Sequence, residues 1–261
     1  MRTPAELELR SIRFGYEPGA WELRIPALAL GQEPVGGIVG PNGSGKSTLL
    51  KLAAGLVSPE EGTVELNGGK LSRMRRAALA RLLGFLPQEC PVLFDYTVEQ
   101  LAAMGRHAHG GVLEMSNPGD REAVARALEA VKLEPLRHRR LSHLSGGERR
   151  RAWIASALAQ EPGILLLDEP TQSLDLHQAA AVMEVLARKA AEGMHVVVVM
   201  HDLNLAALFC DRLILLQDGK VAADGPPAGI LTESRLAATY GGSLEVLRHP
   251  ETQKPLVLAK K

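Results

Sequence analysis

Apolar and polar residues alternate in two stretches near the start of the chain, Glu6-Leu7-Glu8-Leu9-Arg10 and Trp21-Glu22-Leu23-Arg24-Ile25. A period of two predicts strands with one covered face, so residues 5–34 are expected to form short strands joined by turns. The pattern then changes. Gly36-Gly37-Ile38-Val39 is a short apolar run that reads as a buried strand, and Thr48-Leu49-Leu50-Lys51-Leu52-Ala53-Ala54 is a run of good helix formers stopped by Gly55. Residues 62–69 read as a strand entering a turn, 71–82 as a basic helical segment, and Gly84-Phe85-Leu86-Pro87-Gln88 as another strand. From about 97 to 160 the pattern is helical, with an apolar stripe over Asp120 to Lys132, a further helix over 147–160, and polar breaks at Gly110-Gly111 and Ser116-Asn117-Pro118-Gly119. Strands return at Ile164 to Leu167, Val196 to Val199 and Leu213 to Leu216, separated by helices over about 175–192 and 202–210. Such alternation predicts a parallel sheet with helices on both faces, interrupted by the helical stretch as an insertion. After Gly225 come a Pro-rich turn, a short helix near 233–240 and two weak strands.

Composition narrows the class. Of 261 residues, 46% are apolar and 23% charged, ordinary for a soluble globular protein, while aromatics at 3% leave Leu, Ala and Val to fill the core. The 30 basic and 30 acidic residues cancel, which argues against a general nucleic-acid coat while leaving room for local basic patches. No apolar run approaches the roughly 18 to 20 residues that span a bilayer, and Met1 to Glu6 lacks the apolar core of a signal peptide. Cys90 and Cys210 are far apart with no CxxC spacing, as expected of reduced, semi-buried thiols in an intracellular protein.

The segment Gly40-Pro41-Asn42-Gly43-Ser44-Gly45-Lys46-Ser47-Thr48 changes the picture most. It matches the P-loop pattern and lies between an expected strand and an expected helix, where unpaired N–H groups and the helix dipole favour an anion. Gly43 and Gly45 let the backbone bend round phosphate oxygens without a Cβ in the way. Lys46 would reach the β- and γ-phosphates of a nucleotide, and the Ser47 hydroxyl would ligate Mg²⁺. Ile164 to Leu167 runs into Asp168 and Glu169, two carboxylates at the exit of a buried strand, which are costly without a cation or a proton-transfer role. Beside a P-loop, Asp168 is expected to hold Mg²⁺ through water and Glu169 to polarise an attacking water as general base.

Leu144-Ser145-Gly146-Gly147-Glu148 opens another helix, and alone it reads as a helix cap more readily than as a second anion site. With the motifs already given, however, it resembles the signature of ABC-type ATPases, with Glu148 where many members carry Gln. The chain is similar over nearly its whole length to the nucleotide-binding subunit of an ABC transporter. The other marks fall in the same order: Gln88 resembles the Q-loop residue that contacts Mg²⁺ and the attacking water, and Ser173-Leu174-Asp175 the D-loop. His201 resembles the switch histidine that touches the γ-phosphate, and Tyr16, in Arg13-Phe14-Gly15-Tyr16, the aromatic that stacks on adenine.

The resemblance implies a P-loop NTPase of ABC cassette type, with a RecA-like core, an N-terminal antiparallel β subdomain and an inserted helical subdomain over about 97–160. Residues 1–242 would form one ATPase domain and 243–261 a C-terminal extension packed on it. It implies ATP and Mg²⁺ as cofactors, Asp175 among the nucleotide-binding residues, and a head-to-tail dimer with a second copy in which Ser145, Gly146 and Gly147 act on the partner's nucleotide. It also implies two integral membrane permease subunits, docked on Val92 to Tyr96 and Thr97 to Met104, an external substrate-binding protein, and a peripheral place on the cytoplasmic face of the inner membrane. Thr97 to Arg106, His201 to Ala207 and Arg248 to Thr252 resemble importers of iron–siderophore, haem and cobalamin. A soluble ABC ATPase acting on nucleic acid or ribosomes is the competing reading, but neither a second cassette nor a coiled-coil insertion is present. Outside these motifs, His107-Ala108-His109 is expected to be a surface pair rather than a metal site. His138, His143, His177, His195 and His249 show no ligand spacing. Arg149-Arg150-Arg151 reads as a solvated helix face with room for one internal pairing.

Overall fold

The computed structural model describes residues 6–17, 19, 21–91, 94–110, 117–242 and 244–260. Contacts divide the chain into two compact units, residues 1–73 with 195–261, and residues 74–194.

In the first unit, β1 (Leu7–Gly15) pairs antiparallel with β2 (Glu22–Leu30) from Leu7↔Leu30 to Gly15↔Glu22. Leu7, Leu9, Ile12 and Phe14 of β1 and Leu23, Ile25, Leu28 and Leu30 of β2 are buried. The strands are longer than the alternation suggests because β1 bulges: Ser11 has φ +53°, Arg10 and Ser11 are both exposed, and the pairing shifts between Arg10 and Arg13. The bulge inverts the pattern and the strand then continues. On its other side β1 pairs antiparallel with β4 (Glu61–Leu66), which turns through Asn67 and Gly68 into β5 (Gly69–Lys70), whereas β3 (Val35–Val39) belongs to a different sheet. Both turn residues have positive φ, as a two-residue hairpin requires.

The same unit holds β3 between two parallel neighbours, β8 (His195–Val199) and β9 (Arg212–Gln217). Helix α1 (Lys46–Ala53) follows β3 and ends in a Schellman motif, with Gly55 N–H donating to Leu52 O and Leu56 N–H to Lys51 O, both at 2.9 Å. The expectation of an all-parallel sheet fails at β10 (Lys220–Gly225), which pairs antiparallel with β9 through a turn at Asp218 and Gly219, both with positive φ. Asp-Gly is a hairpin signal in its own right; the alternating exposure of β10 belongs to an edge strand with little apolar content. Helices α8 (Leu203–Phe209), α9 (Pro227–Ile230) and α10 (Glu233–Tyr240) and the hairpin β11 (Leu244–Arg248) with β12 (Pro255–Ala259) complete the unit. The Asn204 side chain fastens the hairpin to α8: its Nδ2 donates to Val257 O at 3.1 Å and its Oδ1 accepts from Val257 N–H at 2.7 Å.

In the second unit α2 (Arg76–Leu82) leads into β6 (Leu83–Leu86), which pairs in parallel with the wholly buried β7 (Ile164–Asp168). Helices α3 (Val98–Met104), α5 (Pro118–Ala130) and α6 (Gly146–Ala159) pack on one another, with the short α4 (His107–Gly110) against α2, and α7 (Leu176–Ala191) follows β7. Arg106 joins these helices, donating to Asp120 at 2.7 Å, Ala159 O at 2.8 Å and Glu161 at 2.9 Å. Among the described residues, no helix is long and apolar enough to cross a membrane.

Candidate active site

The first unit carries the loop expected to cradle phosphate. Helix α1 begins after Gly45, whose φ is +103°, and a Cβ there would lie 2.5 Å from Trp21 Cζ2 and 3.0 Å from Leu23 Cδ1. At Gly43, φ is +77° and nothing stands within 4 Å of a Cβ. The two glycines therefore serve different ends: Gly43 supplies the turn, and Gly45 also lets the indole of Trp21 support the loop from beneath. Gly45 thus carries a packing constraint in addition to the backbone freedom expected of both glycines. Trp21 is a member of this site that the sequence pattern, which placed it in a strand, did not single out.

The loop is fixed at several points. Ser44 N–H donates to Pro41 O at 3.2 Å, and Ser44 O accepts from Gly219 N–H at 3.1 Å. Lys46 is buried, and its Nζ donates to Gly40 O and Pro41 O, each at 2.9 Å. The buried Ser44 hydroxyl finds no hydrogen-bond partner among the described residues. A buried ammonium, a spare hydroxyl and the N-terminus of α1, whose first N–H groups have no intrahelical acceptor, fit a polyphosphate. Asn42 is exposed, Ser47 is half-buried in the first turn of α1, and Thr48 is buried, with its Oγ1 3.5 Å from the Tyr16 hydroxyl. Tyr16 follows β1, is 61% exposed, and meets Phe14 edge-on at 5.0 Å between centroids. Phe14 thus steadies the ring while a face stays open for a planar ligand. His201 is exposed between β8 and α8, immediately before Asp202, whose Oδ1 caps α8 by accepting from Asn204 and Leu205 N–H.

The second unit carries the carboxylates. Asp168 ends β7 and is 2% exposed, and Glu169 is 7% exposed with φ +48°, a backbone region that side chains other than glycine avoid. That turn takes Glu169 off the strand line. Gln88 Nε2 donates to Glu169 Oε2 and to Gln172 Oε1, both at 3.0 Å, so the expected loop glutamine and the expected base are in direct contact. Gln172, close to Glu169 in sequence, was not among the expected residues.

Ser145 caps α6 in a full capping box: its Oγ accepts from Glu148 N–H at 3.2 Å, and Glu148 Oε2 accepts from Ser145 N–H at 2.8 Å. The hydrogen bond from Ser145 N–H holds the Glu148 carboxyl below its ordinary range, so Glu148 is a fixed anion of the cap. Ser145 and Gly146 are exposed, whereas Gly147 is buried, and a Cβ there would meet Gln178 Oε1 at 1.9 Å. Asp175 caps α7, its Oδ1 accepting from Gln178 N–H at 2.8 Å.

The arginines after the signature correct the sequence reading. None lies on a solvated face: each is half-buried, with Arg149 donating to Leu144 O, Arg151 to Val131 O, and Arg150 to several carbonyls. A signal existed. Gly147, Arg150, Ile154 and Leu158 repeat at helical spacing, and the other three are buried, which puts Arg150 on the inner stripe of α6. Among the described residues, the histidine pair 107/109 belongs to no cluster of three or more His, Cys, Asp or Glu side chains, and His109 Nε2 lies 2.9 Å from Gln160 O.

The ABC transporter family profile matches residues 23–172. The hemin import ATP-binding protein of Nocardia farcinica is 43% identical over 246 residues, 94% of this chain and 85% of that protein. The petrobactin import ATP-binding protein of Bacillus anthracis is 41% identical, over 86% of this chain and 82% of its own length. Among solved structures, a metal-chelate type ABC transporter in an inward-facing conformation aligns with a TM-score of 0.82 and 28% identity, covering 98% of both chains. A dimeric ATP-binding cassette in a post-hydrolysis state with ADP and Pi aligns at 0.71 and 30% identity, covering 85% of this chain and 98% of that one.

Proposed function

The chain belongs to the ABC transporter family, and on that premise we propose that it is the ATP-hydrolysing subunit of a metal-chelate importer, with siderophore or haem as cargo ahead of cobalamin. The observation that carries the catalytic reading is the Glu169 carboxylate, buried at the exit of β7 and held by the Gln88 amide. The cargo reading draws on the hemin and petrobactin relatives and on the metal-chelate transporter.

The residues take these roles. The loop from Gly40 to Thr48 binds the phosphates of ATP, with Lys46 on the β- and γ-oxygens and Tyr16 stacked on adenine. Glu169 polarises the attacking water as general base, Gln88 orients the carboxylate and the water, and His201 donates to the γ-phosphate. Ser47, Gln88 and Asp168 would hold Mg²⁺, which supplies charge neutralisation on the β- and γ-oxygens when bound. Ser145, Gly146, Gly147 and Asp175 act across a head-to-tail dimer on the partner copy's nucleotide. Exposed Ser145 and Gly146 suit that role, because the Ser145 oxygen accepts within the cap and its O–H remains to donate outward.

The permease subunits would dock on the second unit. A groove of about 640 Å³ there is lined by Phe85, Leu86, Cys90, Met104, Trp153 and Ala157, beside the Q-loop and α3. It meets the expected docking region at Met104, and of that region Val92 and Leu93 lie outside the described residues. The subunit would then be peripheral, on the cytoplasmic face of the membrane. The test is reconstitution with two permease subunits in vesicles, offering labelled ferric siderophore, haem and cobalamin. ATP-dependent uptake of one of these is expected. Uptake of an amino acid, sugar or phosphate with none of the chelates moved would overturn the cargo, and absence of ATP hydrolysis would overturn the enzyme.

A further inference from the structure

Arg150 lies on the inner stripe of α6, and every acceptor of its guanidinium N–H groups at normal hydrogen-bond distance is a main-chain carbonyl. Nη1 donates to Pro87 O and Gln88 O at 3.1 Å, Nη2 to Asp168 O at 3.0 Å and Glu169 O at 2.9 Å, and Nε to Pro170 O at 3.0 Å. The Cys90 sulfur is 3.8 Å from Nη1. Guanidinium has five N–H donors in a rigid fork, and here five main-chain carbonyls accept from it. Two of these belong to the loop after β6 and three to the exit of β7, so one side chain of the signature helix clasps both segments.

We propose that Arg150 is a positioning residue that holds Gln88 against Glu169 and transmits movement of the groove wall to that carboxylate. The inference rests on the reading of Glu169 as base and of the groove as the permease site. Pro87 and Cys90, on one side of the clasp, line the groove, and Asp168 and Glu169, on the other, are the expected metal and base residues. Without the fork, the loop and the strand exit lose their common anchor, and the Gln88 amide no longer keeps a fixed distance from the carboxylate. Lysine keeps the charge but has three donors and no plane, and glutamine has two donors. Burial pushes the Arg150 pKa down from its ordinary value, yet guanidinium stays protonated, so the clasp does not depend on pH near neutrality.

The full chain offers a readout independent of catalysis. Its thiols are Cys90, on the clasped loop, and Cys210, which is 1% exposed in the other unit. In Arg150→Gln, Cys90 should react with a maleimide about tenfold faster or more, as expected from losing several hydrogen bonds that restrain opening, while Cys210 stays protected. Turnover should fall about tenfold or more with KM for ATP within about threefold, and Arg150→Lys should recover part of it. The double variant Gln88→Ala/Arg150→Gln should be no slower than Gln88→Ala alone, because both changes act through one contact. Unchanged Cys90 labelling, or losses that multiply in the double variant, would overturn the proposal. If Cys210 becomes labelled in Arg150→Gln, the variant has opened globally, and Arg150→Lys then carries the same measurements. Should Glu169→Gln hydrolyse ATP normally, the base assignment fails while the labelling result still decides the clasp.

Discussion

The side-chain amide of Gln88 donates to Glu169 Oε2 at 3.0 Å, so the residue expected to contact the attacking water holds the residue expected to activate it. A carboxylate that accepts from an amide keeps a lone pair for water and stays oriented in a buried setting. Glu169→Gln should bind ATP as the parent does and lower turnover about 10² to 10⁴-fold, the range for loss of a general base. Single-turnover hydrolysis and nucleotide titration on the same preparation measure both quantities. Near-parental turnover would remove Glu169 from the role.

The two P-loop glycines separate by mechanism. Gly45→Ala places a methyl 2.5 Å from the rigid Trp21 ring at φ +103°, whereas Gly43→Ala meets only the backbone preference at φ +77°. Denaturant unfolding should show Gly45→Ala destabilised by about 1 to 3 kcal/mol more than Gly43→Ala, the range for overpacking. Equal losses would mean that Trp21 moves aside freely.

Exposed Ser145 and buried Lys46 belong to different halves of the expected dimer site. Neither Ser145→Arg nor Lys46→Ala should hydrolyse ATP alone, while a mixture of the two chains should recover activity from the one composite site with both halves intact. No recovery in mixtures shown by crosslinking to contain mixed dimers would count against action in trans between independent sites.

Cys210 gives a pH dependence. Burial raises its pKa from 9.0 to about 12, so the folded chain keeps the thiol protonated over a range where the unfolded chain ionises it. Its contribution to stability is therefore complete below pH about 9 and declines as pH rises from 9 towards 12. Relative to Cys210→Ala, the parent should lose up to about 1.4 kcal/mol per pH unit in that interval, read from urea unfolding under reducing conditions. Parallel curves for the two chains would contradict the buried neutral thiol.

Much of the fold was legible because glycine, proline and charge mark special geometry. Gly55 stops α1 in the manner its position predicts, and Asp168-Glu169 follows a run too apolar to be anything but a buried strand. The bulge at Ser11 was not legible, since a single inserted residue reverses the alternation that reveals a strand. Nor was β10, whose pairing rests on main-chain bonds and a turn instead of apolar periodicity. In the site, motif residues were readable from spacing, whereas Gln172, Trp21 and Arg150 act through contacts distant from, or outside, any motif. Three successive arginines look solvated until helical phase puts the middle one inside.

The Asn204 amide meets Val257 as a neighbouring peptide would, offering one donor and one acceptor to the same residue. A two-stranded ribbon keeps open edges that invite pairing with foreign chains. Here a side chain imitates the missing strand at one point of β12 and blunts that edge. Because Asn204 stands three residues beyond His201, the same pair of hydrogen bonds also registers the last hairpin to the helix that the histidine precedes.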